Sequence, residues 1–266
     1  MKSDLLTTSE AALMAGVGTT SVKRWAEEGR LPCVKTAGGH RRFRRSDLQA
    51  VLASLNPNTT VVGSPSHWAS VCLKSDLYQI QGALLQARSR HGNWTGVATE
   101  VAAGLAAIGR QWRERKITIL DEHLASELLA RALTQIKQAL PVDTTGPRCL
   151  LVCAEGDLHT LGLSLAEVCI LESGWRTLWG GARTPMSEVC HTVESGKVEM
   201  VVLAASTTIS SAQLTEQLHP LEATCKAHNV PLILGGGGTW PETEWATRIV
   251  DFPTLEKTVR HRLAQL

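Results

Sequence analysis

The second half of the chain repeats one pattern, and this pattern restricts the fold more than any other feature of the sequence. From Arg148 on, short apolar runs alternate with stretches whose apolar residues recur every three or four positions; the runs are CLLVCA, WRTLWG, VEMVVLAA, VPLILGGGG and TRIVDF. Continuous apolar runs suit strands buried on both faces, and the stretches between them suit crossover helices. The sequence therefore predicts an α/β domain over 147–266 with a five-stranded parallel sheet.

Helices are predicted between these strands at 162–173, 185–195, 210–228 and 241–246. Five strands connected in this way suit a flavodoxin-like, Rossmann-type doubly wound fold, in which ligands bind at the carboxyl ends of the strands. Three short segments fall at those ends: DLHTLG after the first strand, STT after the third, and four glycines after the fourth. Each is common by itself, since loop histidines are often structural, hydroxyls cap helices and glycines form flexible turns. Together they predict a ligand site.

Between 67 and 141 the apolar spacing is helical throughout. We predict three or four helices packed as a small bundle, with breaks near SRHGNW and RERKIT and an end at Pro141, and assign the region to the four-helix bundle class. Trp112 would lie near the end of one helix, and Glu122 and His123 near the start of the next. These three side chains are expected to face each other across one end of the bundle.

The amino-terminal end carries the positive charge of the chain. Residues 1–54 contain nine Lys or Arg and five Asp or Glu, a net charge of +4, whereas the whole chain has +2. A basic segment of this kind is where a polyanion is expected to bind.

Residues 6–29 have the spacing of two short helices joined by a turn around Val17. Thr8 or Ser9 is predicted to cap the first helix and Thr19 or Thr20 the second, which would end at Gly29. A short strand, a Gly-Gly turn and a basic run follow, and a helix is expected from Ser46. An ordinary helical hairpin fits the first part alone equally well, but the basic hairpin favours a winged helix-turn-helix that binds the major groove. The predicted DNA contacts are Thr19, Thr20, Lys23, Arg24, Lys35, His40, Arg41, Arg42 and Arg44.

Residues 5–52 resemble the MerR-type DNA-binding domain, through the helix-turn-helix, the RW pair, GRLP and GGHRRF. The resemblance implies a MerR-type domain over 1–55 that binds double-stranded operator DNA. The segment 56–66 is rich in Pro, Gly and small polar residues and is predicted to be a linker.

Seven cysteines are scattered without CxxC pairs, which indicates free thiols in a reducing compartment and disfavours zinc. No apolar run approaches twenty residues, and no signal-peptide pattern opens the chain. A cytoplasmic protein that does not insert into a membrane is expected.

The loops at the carboxyl ends of the strands resemble those of the cobalamin-binding domain, whose DxHxxG histidine binds cobalt. The resemblance implies that His159 is the metal ligand and that Asp157 orients it. The nucleotide tail of the cofactor would then lie along the surrounding loops, at Gly162, Ser206, Thr208, Gly235, Gly236 and Gly237.

Trp112, nine residues and then Glu122-His123 are similar to the Wx9EH signature of CarH/LitR-type light sensors, MerR-family repressors that use adenosylcobalamin. The resemblance implies that the helical domain caps the upper face of the cofactor, with Trp112 against the adenosyl group and the Glu-His pair holding it. Members of that family carry a His directly after the Trp, and it captures the metal after light breaks the cobalt-carbon bond. Arg113 stands there instead, and a guanidinium cannot bind cobalt.

These patterns predict a light-responsive, cobalamin-dependent repressor that binds operator DNA as a homo-oligomer, a dimer or a tetramer, controlled by adenosylcobalamin. One alternative keeps this architecture but places a bilin, a haem or another tetrapyrrole between bundle and sheet, where Arg113 could pair with a propionate and a Trp-rich wall would suit a flat ligand. Another is a cobalamin-dependent methyltransferase, although we expect no enzymatic turnover because the chain has a DNA-binding segment and no substrate domain.

Overall fold

The computed structural model describes residues 5–266 except 16, 37, 49–50, 52–60 and 141–143. At residue 13 it describes the backbone but not the side chain. Two compact units form: one ends at His67 and the other begins at Trp68. The predicted helical domain and the predicted sheet domain both lie in the second unit. Residues 56–60 of the predicted linker lie outside the described residues, and its last two residues, Pro65 and Ser66, already belong to a helix.

The first unit combines two short helices with a small antiparallel sheet of strand order β1-β3-β2. Its elements are β1 (Leu5–Thr7), α1 (Thr8–Ala15), α2 (Thr19–Glu27), β2 (Val34–Lys35) and β3 (Arg41–Arg44). One apolar core joins helices and sheet, in which Val22 and Trp25 of α2 meet Phe43 of β3. Helical backbone begins again at Arg45, so that Ser46 lies inside this turn and does not precede it.

The predicted helix caps of this unit are wrong. The four residues in question lie within the helices: Thr8, Ser9, Thr19 and Thr20. Thr7 caps α1 instead, because its Oγ1 accepts the backbone N–H of Glu10 at 3.2 Å while the Glu10 carboxylate accepts that of Thr7 at 2.7 Å. Gly18 precedes α2, and no side chain caps this helix.

Four helices open the second unit, and the first of them starts three residues before the unit boundary: α3 (Pro65–Lys74), α4 (Leu77–His91), α5 (Trp94–Arg113) and α6 (Ile119–Ala139). The breaks predicted near SRHGNW and RERKIT are confirmed, and Asn93 and Thr118 cap the helices that follow them. The predicted end at Pro141 lies outside the described residues. The four helices share one apolar core with the first helix of the α/β region.

The five predicted parallel strands are present, in the order β5-β4-β6-β7-β8. Their bounds are β4 (Arg148–Cys153), β5 (Arg176–Gly181), β6 (Met200–Ala204), β7 (Leu232–Gly235) and β8 (Thr247–Arg248). The helices of this region are α7 (Leu161–Glu172), α8 (Met186–Glu194), α9 (Ser211–Ala227) and α10 (Phe252–Leu263). This order is the one expected for a flavodoxin-like doubly wound sheet, with the ligand-binding edge beside the first strand.

The helix predicted at 241–246 is absent, and a helix that was not predicted follows β8. The backbone N–H groups of Trp245 and Ala246 donate to the Glu222 carboxylate of α9, at 2.8 and 3.1 Å, which holds this segment in an irregular path. The unpredicted helix, α10, begins after Asp251, whose carboxylate accepts the N–H of Thr254 at 2.7 Å. The Asp-Phe-Pro sequence is a helix-start signal that could have revealed it.

Helix α7 packs on both the helical region and the sheet. One set of its side chains belongs to the helical core and another to the sheet core; the sets are Leu165, Val168 and Cys169, and Leu163, Ala166 and Ile170. Two ion pairs add to this packing: Glu172 with Arg88 of α4 at 2.6 Å, and Glu167 with Lys137 of α6. The helical region is therefore fixed to the helix that follows the DxHxxG loop directly.

All seven cysteines are in the described part of the chain, and all are free thiols. Burial raises the pKa of the Cys153 thiol to about 12, so this side chain is protonated at neutral pH. Among the described helices, none combines the length and the apolar character needed to cross a membrane.

Glu100 of α5 is an anchor inside the helical region, and its replacement by Gln should destabilise the unit. Its carboxylate accepts from Trp68 Nε1 at 3.0 Å and contacts Arg90 and His91 at 2.8 and 2.6 Å. Burial raises the pKa of Glu100, but these three partners outweigh burial and hold it below its ordinary value of 4.5. We expect Glu100→Gln to lower the free energy of unfolding by about 2 kcal/mol at pH 7, measured by urea denaturation.

This loss should depend on pH in a defined direction. A carboxyl group whose pKa is lower in the folded than in the unfolded state stabilises the fold at pH values above its unfolded-state pKa. This contribution is lost as the pH falls through the folded-state pKa. The difference between wild type and Glu100→Gln should therefore shrink below about pH 4. Glu127→Gln is the matched control, since its pair with Arg131 is more than 60% exposed on both sides and should change stability by less than about 0.5 kcal/mol. A difference of equal size at pH 7 and pH 3 would contradict the assignment.

Candidate functional site

The DxHxxG loop presents an oriented and exposed imidazole at the end of β4. The backbone N–H and the Nδ1 of His159 lie 3.0 and 2.8 Å from Asp157 Oδ1. The aspartate therefore holds the imidazole ring of His159 in place. The Asp157 side chain is fully buried, whereas that of His159 is 64% exposed. The loop therefore hides the carboxylate and points the ring outward.

Asp157 is ionised at neutral pH and selects the tautomer of His159. Burial raises the pKa of this carboxyl, but the N–H groups of Ser206 and His159 and their side chains outweigh burial, and the pKa lies below its ordinary value. A carboxylate accepts the Nδ1–H of the ring, which leaves the lone pair on Nε2. An imidazole prepared in this way is a typical metal ligand.

Ser206, at the end of β6, joins the two loops. Its backbone N–H donates to Asp157 Oδ2, and its hydroxyl lies 3.1 Å from Asp157 Oδ1 and 3.2 Å from His159 Nδ1. Thr208 Oγ1 lies 2.7 Å from the same hydroxyl. The predicted site residues Asp157, His159, Ser206 and Thr208 thus form one hydrogen-bonded network, and the cap of α9 is a different residue, Ser210.

A cavity of about 300 Å³ opens beside this network, between the sheet and helices α7 and α10. His159 and Ser206 lie at its rim together with Asp251, and the predicted glycines Gly162, Gly235, Gly236 and Gly237 line it. The remaining lining is apolar and includes residues that the sequence interpretation missed: Leu163, Ala166, Val202, Ala204, Ala205, Ile233, Ile249, Val250, Phe252 and Leu255. The missed helix α10 supplies two of these residues, Phe252 and Leu255, and the others lie on α7, on the strands or in the loops that follow them.

The glycines of the site serve two different purposes. A Cβ on Gly162 or Gly235 would meet no atom within 4 Å, so both keep space open beside the cavity. Gly236 has φ +82, and a Cβ there would lie 2.2 Å from the carbonyl oxygen of Ala205. Glycine is needed at position 236 because two loops of the protein approach each other closely there, whether or not a ligand is bound.

Trp112, Arg113, Glu122 and His123 lie around the turn between α5 and α6. Trp112 is 46% exposed, an unusual position for a side chain of this size. His123 Nδ1 lies 2.8 Å from Glu122 Oε2 and its side chain is 69% exposed, while Glu122 Oε1 accepts from Ser126. The placement at the two helix ends is confirmed, whereas a role in ligand binding stays a prediction.

The tryptophans do not form a wall around a flat ligand, contrary to the expectation raised with the bilin alternative. Five are buried in the cores of the two units: Trp25, Trp68, Trp94, Trp175 and Trp240. Trp175 and Trp240 also donate their indole N–H to backbone carbonyls. Only Trp112 and Trp179 are largely exposed, so the richness in Trp is mainly a property of the cores.

The predicted DNA contacts lie on α2 and on the hairpin of β2 and β3. Seven of them are exposed: Thr19, Thr20, Lys23, Arg24, Lys35, His40 and Arg44. Arg42 is half-buried, and its guanidinium donates to the carbonyl of Arg41 at 3.2 Å. Arg41 pairs with Glu27 of α2 at 2.9 Å, so it holds the hairpin against this helix. The structure thereby gives Arg41 a positioning role beside any contact with phosphate.

No group of three or more His, Cys, Asp or Glu side chains that could hold a metal ion occurs in the described part of the chain.

Residues 5–56 match the family model of a helix-turn-helix domain. Over 123 residues, 46% of this chain, the sequence is 29% identical to the HTH-type transcriptional repressor CarA of Myxococcus xanthus, of which the match covers 42%. It is 19% identical over 137 residues, 50% of this chain, to methionine synthase of Mycobacterium tuberculosis, of which the match covers 12%. The matches thus span less than half the length of these two relatives.

The structure is similar to that of the monomethylamine corrinoid protein of Methanosarcina barkeri, with a TM-score of 0.54 and 14% identity over 73% of this chain and 95% of that one. At this identity the similarity shows that the fold is shared.

Proposed function

We propose that this protein is a cobalamin-dependent transcriptional regulator, a repressor that binds operator DNA through its first unit and is controlled by cobalamin bound to its second. One observation carries the proposal: an exposed histidine, oriented by a buried carboxylate, stands at the mouth of an apolar cavity in a chain that also has a helix-turn-helix domain.

The residues of the second unit fit cobalamin. His159 would bind cobalt through Nε2, with Asp157 and Ser206 holding the ring. The space left open by Gly162 and Gly235 and the apolar cavity behind them would take the nucleotide tail. The fold shared with a corrinoid protein and the partial match to methionine synthase support this assignment.

The first unit supplies the contacts with DNA. Helix α2 would lie in the major groove with Thr19, Thr20 and Lys23, as in a MerR-type domain, and the hairpin would act as a wing against the phosphates. The partial match to a transcriptional repressor supports this role. We also propose assembly into a dimer or tetramer. Linking several copies of the first unit raises their effective concentration on one operator without new contacts.

The α5–α6 turn is the proposed cover of the upper face of the cofactor. The exposed Trp112 provides a flat apolar surface, and Glu122 holds His123 through Nδ1. Adenosylcobalamin, the form we propose, supplies a cobalt-carbon bond that light can break. Arg113 cannot bind cobalt, so any response to light must proceed without a histidine at that position.

Gel filtration of the full chain with adenosylcobalamin, in the dark and after illumination, tests the proposal. We expect the protein to elute with the pigment, to assemble in the dark and to change its elution volume in light. Operator DNA should co-elute with the form that assembles in the dark and not with the illuminated form. A protein that elutes without pigment at saturating cofactor concentration would disprove the cofactor assignment, and a bilin spectrum of the purified protein would favour the tetrapyrrole alternative.

Lys35→Ala should weaken binding to every DNA sequence tested and lower its dependence on salt. Lys35 is exposed on β2, where a phosphate contact carries charge but no sequence information. Each lost phosphate contact lowers the slope of log K against log salt by about 0.9, which binding titrations at several salt concentrations measure. Lys226→Ala removes the same charge from α9 and should leave the slope unchanged. Equal slopes for all three proteins would contradict a phosphate contact at Lys35.

A cobalamin-dependent methyltransferase is the second candidate, because the shared fold belongs to a corrinoid protein and the matched synthase is an enzyme. We propose that the chain is not an enzyme. Transfer of a methyl group from bound methylcobalamin to homocysteine by the purified chain would overturn this proposal.

A further inference from the structure

Glu27 connects the helix proposed for the major groove with the hairpin proposed for the phosphates. Its Oε1 accepts from Arg41 Nη2 of β3 at 2.9 Å, and Arg41 Nη1 lies 3.4 Å from the carbonyl oxygen of Lys23, also on α2. One guanidinium thus donates to the same helix from two of its nitrogens. The Arg41 side chain is 24% exposed, so most of it faces the protein and little of it faces solvent.

This junction determines where the hairpin lies relative to α2. The residue directly across from Arg41 on β2 is Lys35, the proposed phosphate contact. The turn between the strands is closed by the backbone N–H of Thr36, which donates to the carbonyl of His40 at 2.9 Å. Phe43 fixes the base of the hairpin in the apolar core, and Arg41 fixes it nearer to the tip. The position of Lys35 relative to α2 therefore depends on where Arg41 is held.

We infer that Glu27 and Arg41 form a positioning pair, through which Glu27 increases the affinity of the first unit for DNA although it is acidic. The inference rests on the proposed function. Removal of an acidic side chain ordinarily favours binding to a polyanion, because its charge repels the phosphates. The loss of Glu27 would instead release Arg41 and leave the hairpin free to move. Ordering the hairpin again on DNA then weakens binding.

The sign of one substitution tests the inference on the full chain. The probe is a DNA duplex that the wild-type chain selects from a random pool, and the affinity is measured by fluorescence anisotropy. We expect Glu27→Gln to bind this duplex about three- to tenfold more weakly than wild type, although the variant carries one negative charge less. An affinity equal to or above that of wild type would overturn the inference.

Glu28→Gln is the matched control, because it removes the same charge from the next residue. Glu28 contacts Arg24 at 3.9 Å and Arg30 at 3.5 Å, and all three side chains are at least 45% exposed. Exposed pairs of this kind position little. The affinity of Glu28→Gln should therefore equal or exceed that of wild type, and a loss as large as that of Glu27→Gln would contradict a specific role of the Glu27–Arg41 pair.

Arg41→Gln separates the pair from a direct contact between Arg41 and phosphate. If Arg41 acts through the pair, Arg41→Gln and Glu27→Gln release the same hairpin, and the double variant should bind no more weakly than either single variant. The two single variants should also have the same slope of log K against log salt. A direct contact would lower the slope of Arg41→Gln alone by about 0.9 and make the two losses additive, which would refute the pairing.

The fraction of active protein distinguishes positioning from a defect in folding. Titration at DNA concentrations well above the dissociation constant measures this fraction, which should be equal in all the variants. A lower active fraction with wild-type affinity in the active part would overturn the inference. Should Arg41→Gln fail to fold, Glu27→Gln still decides, since its side chain is 62% exposed. A wild-type chain that selects no duplex would refute the proposed function of the first unit itself.

Discussion

Replacing His159 with Ala is expected to reduce the affinity for adenosylcobalamin by roughly 100-fold and to change the absorption spectrum of whatever cofactor remains bound. The imidazole is the one ring that the structure both exposes and orients at the cavity mouth, with Nδ1 committed to Asp157 and Nε2 left as the donor atom. Without it, the metal would lose a nitrogen ligand while the tail could still enter the cavity. Binding titrations followed by absorption give both quantities.

Two further variants separate coordination from a general effect of mutation. Asp157→Asn keeps the ring but removes the charge that selects its tautomer, and should cost about tenfold in affinity. His261→Ala removes an exposed histidine from α10 outside the cavity and should change neither quantity. A spectrum and an affinity for His159→Ala equal to those of wild type would remove the metal-ligand assignment, and with it the main support for the proposed cofactor.

Gly162→Leu should have opposite effects on stability and on binding. Gly162 is the second residue of α7, and a Cβ there meets nothing within 4 Å. A side chain can therefore be added without a clash, and relief of the conformational freedom of glycine in a helix should stabilise the cofactor-free protein by about 0.5–1 kcal/mol. The same side chain would occupy space beside the cavity, and we expect cobalamin binding to fall by more than about tenfold.

Gly82→Leu is the matched control for this experiment. Gly82 lies within α4, a Cβ there also meets nothing within 4 Å, and it does not line the cavity. Both variants should raise the midpoint of thermal unfolding, and only Gly162→Leu should lose the cofactor. If Gly162→Leu is as stable as expected and still binds cobalamin with wild-type affinity, the tail does not pass this glycine.

Much of the fold follows from the period of the apolar residues. The change of period near Arg148 revealed the five strands, because a strand buried on both faces needs an unbroken apolar run. The segment Pro241–Ala246 misled the same reasoning, since its backbone N–H groups bind Glu222 of another helix and local preference does not decide its path. The helix caps failed for a related reason, since a shift of one residue changes which amide a hydroxyl can reach.

The sequence by itself determined the alternation of strands and helices, the position of DxHxxG at the end of β4 and the basic character of the amino-terminal unit, because each depends on residues close together along the chain. Only the tertiary structure decided that Ser206 binds Asp157 across 49 residues and that α10 closes an apolar cavity. It also decided that most tryptophans are core residues. Such contacts depend on which distant segments pack together, and the free energy that selects them comes from burial in the whole fold.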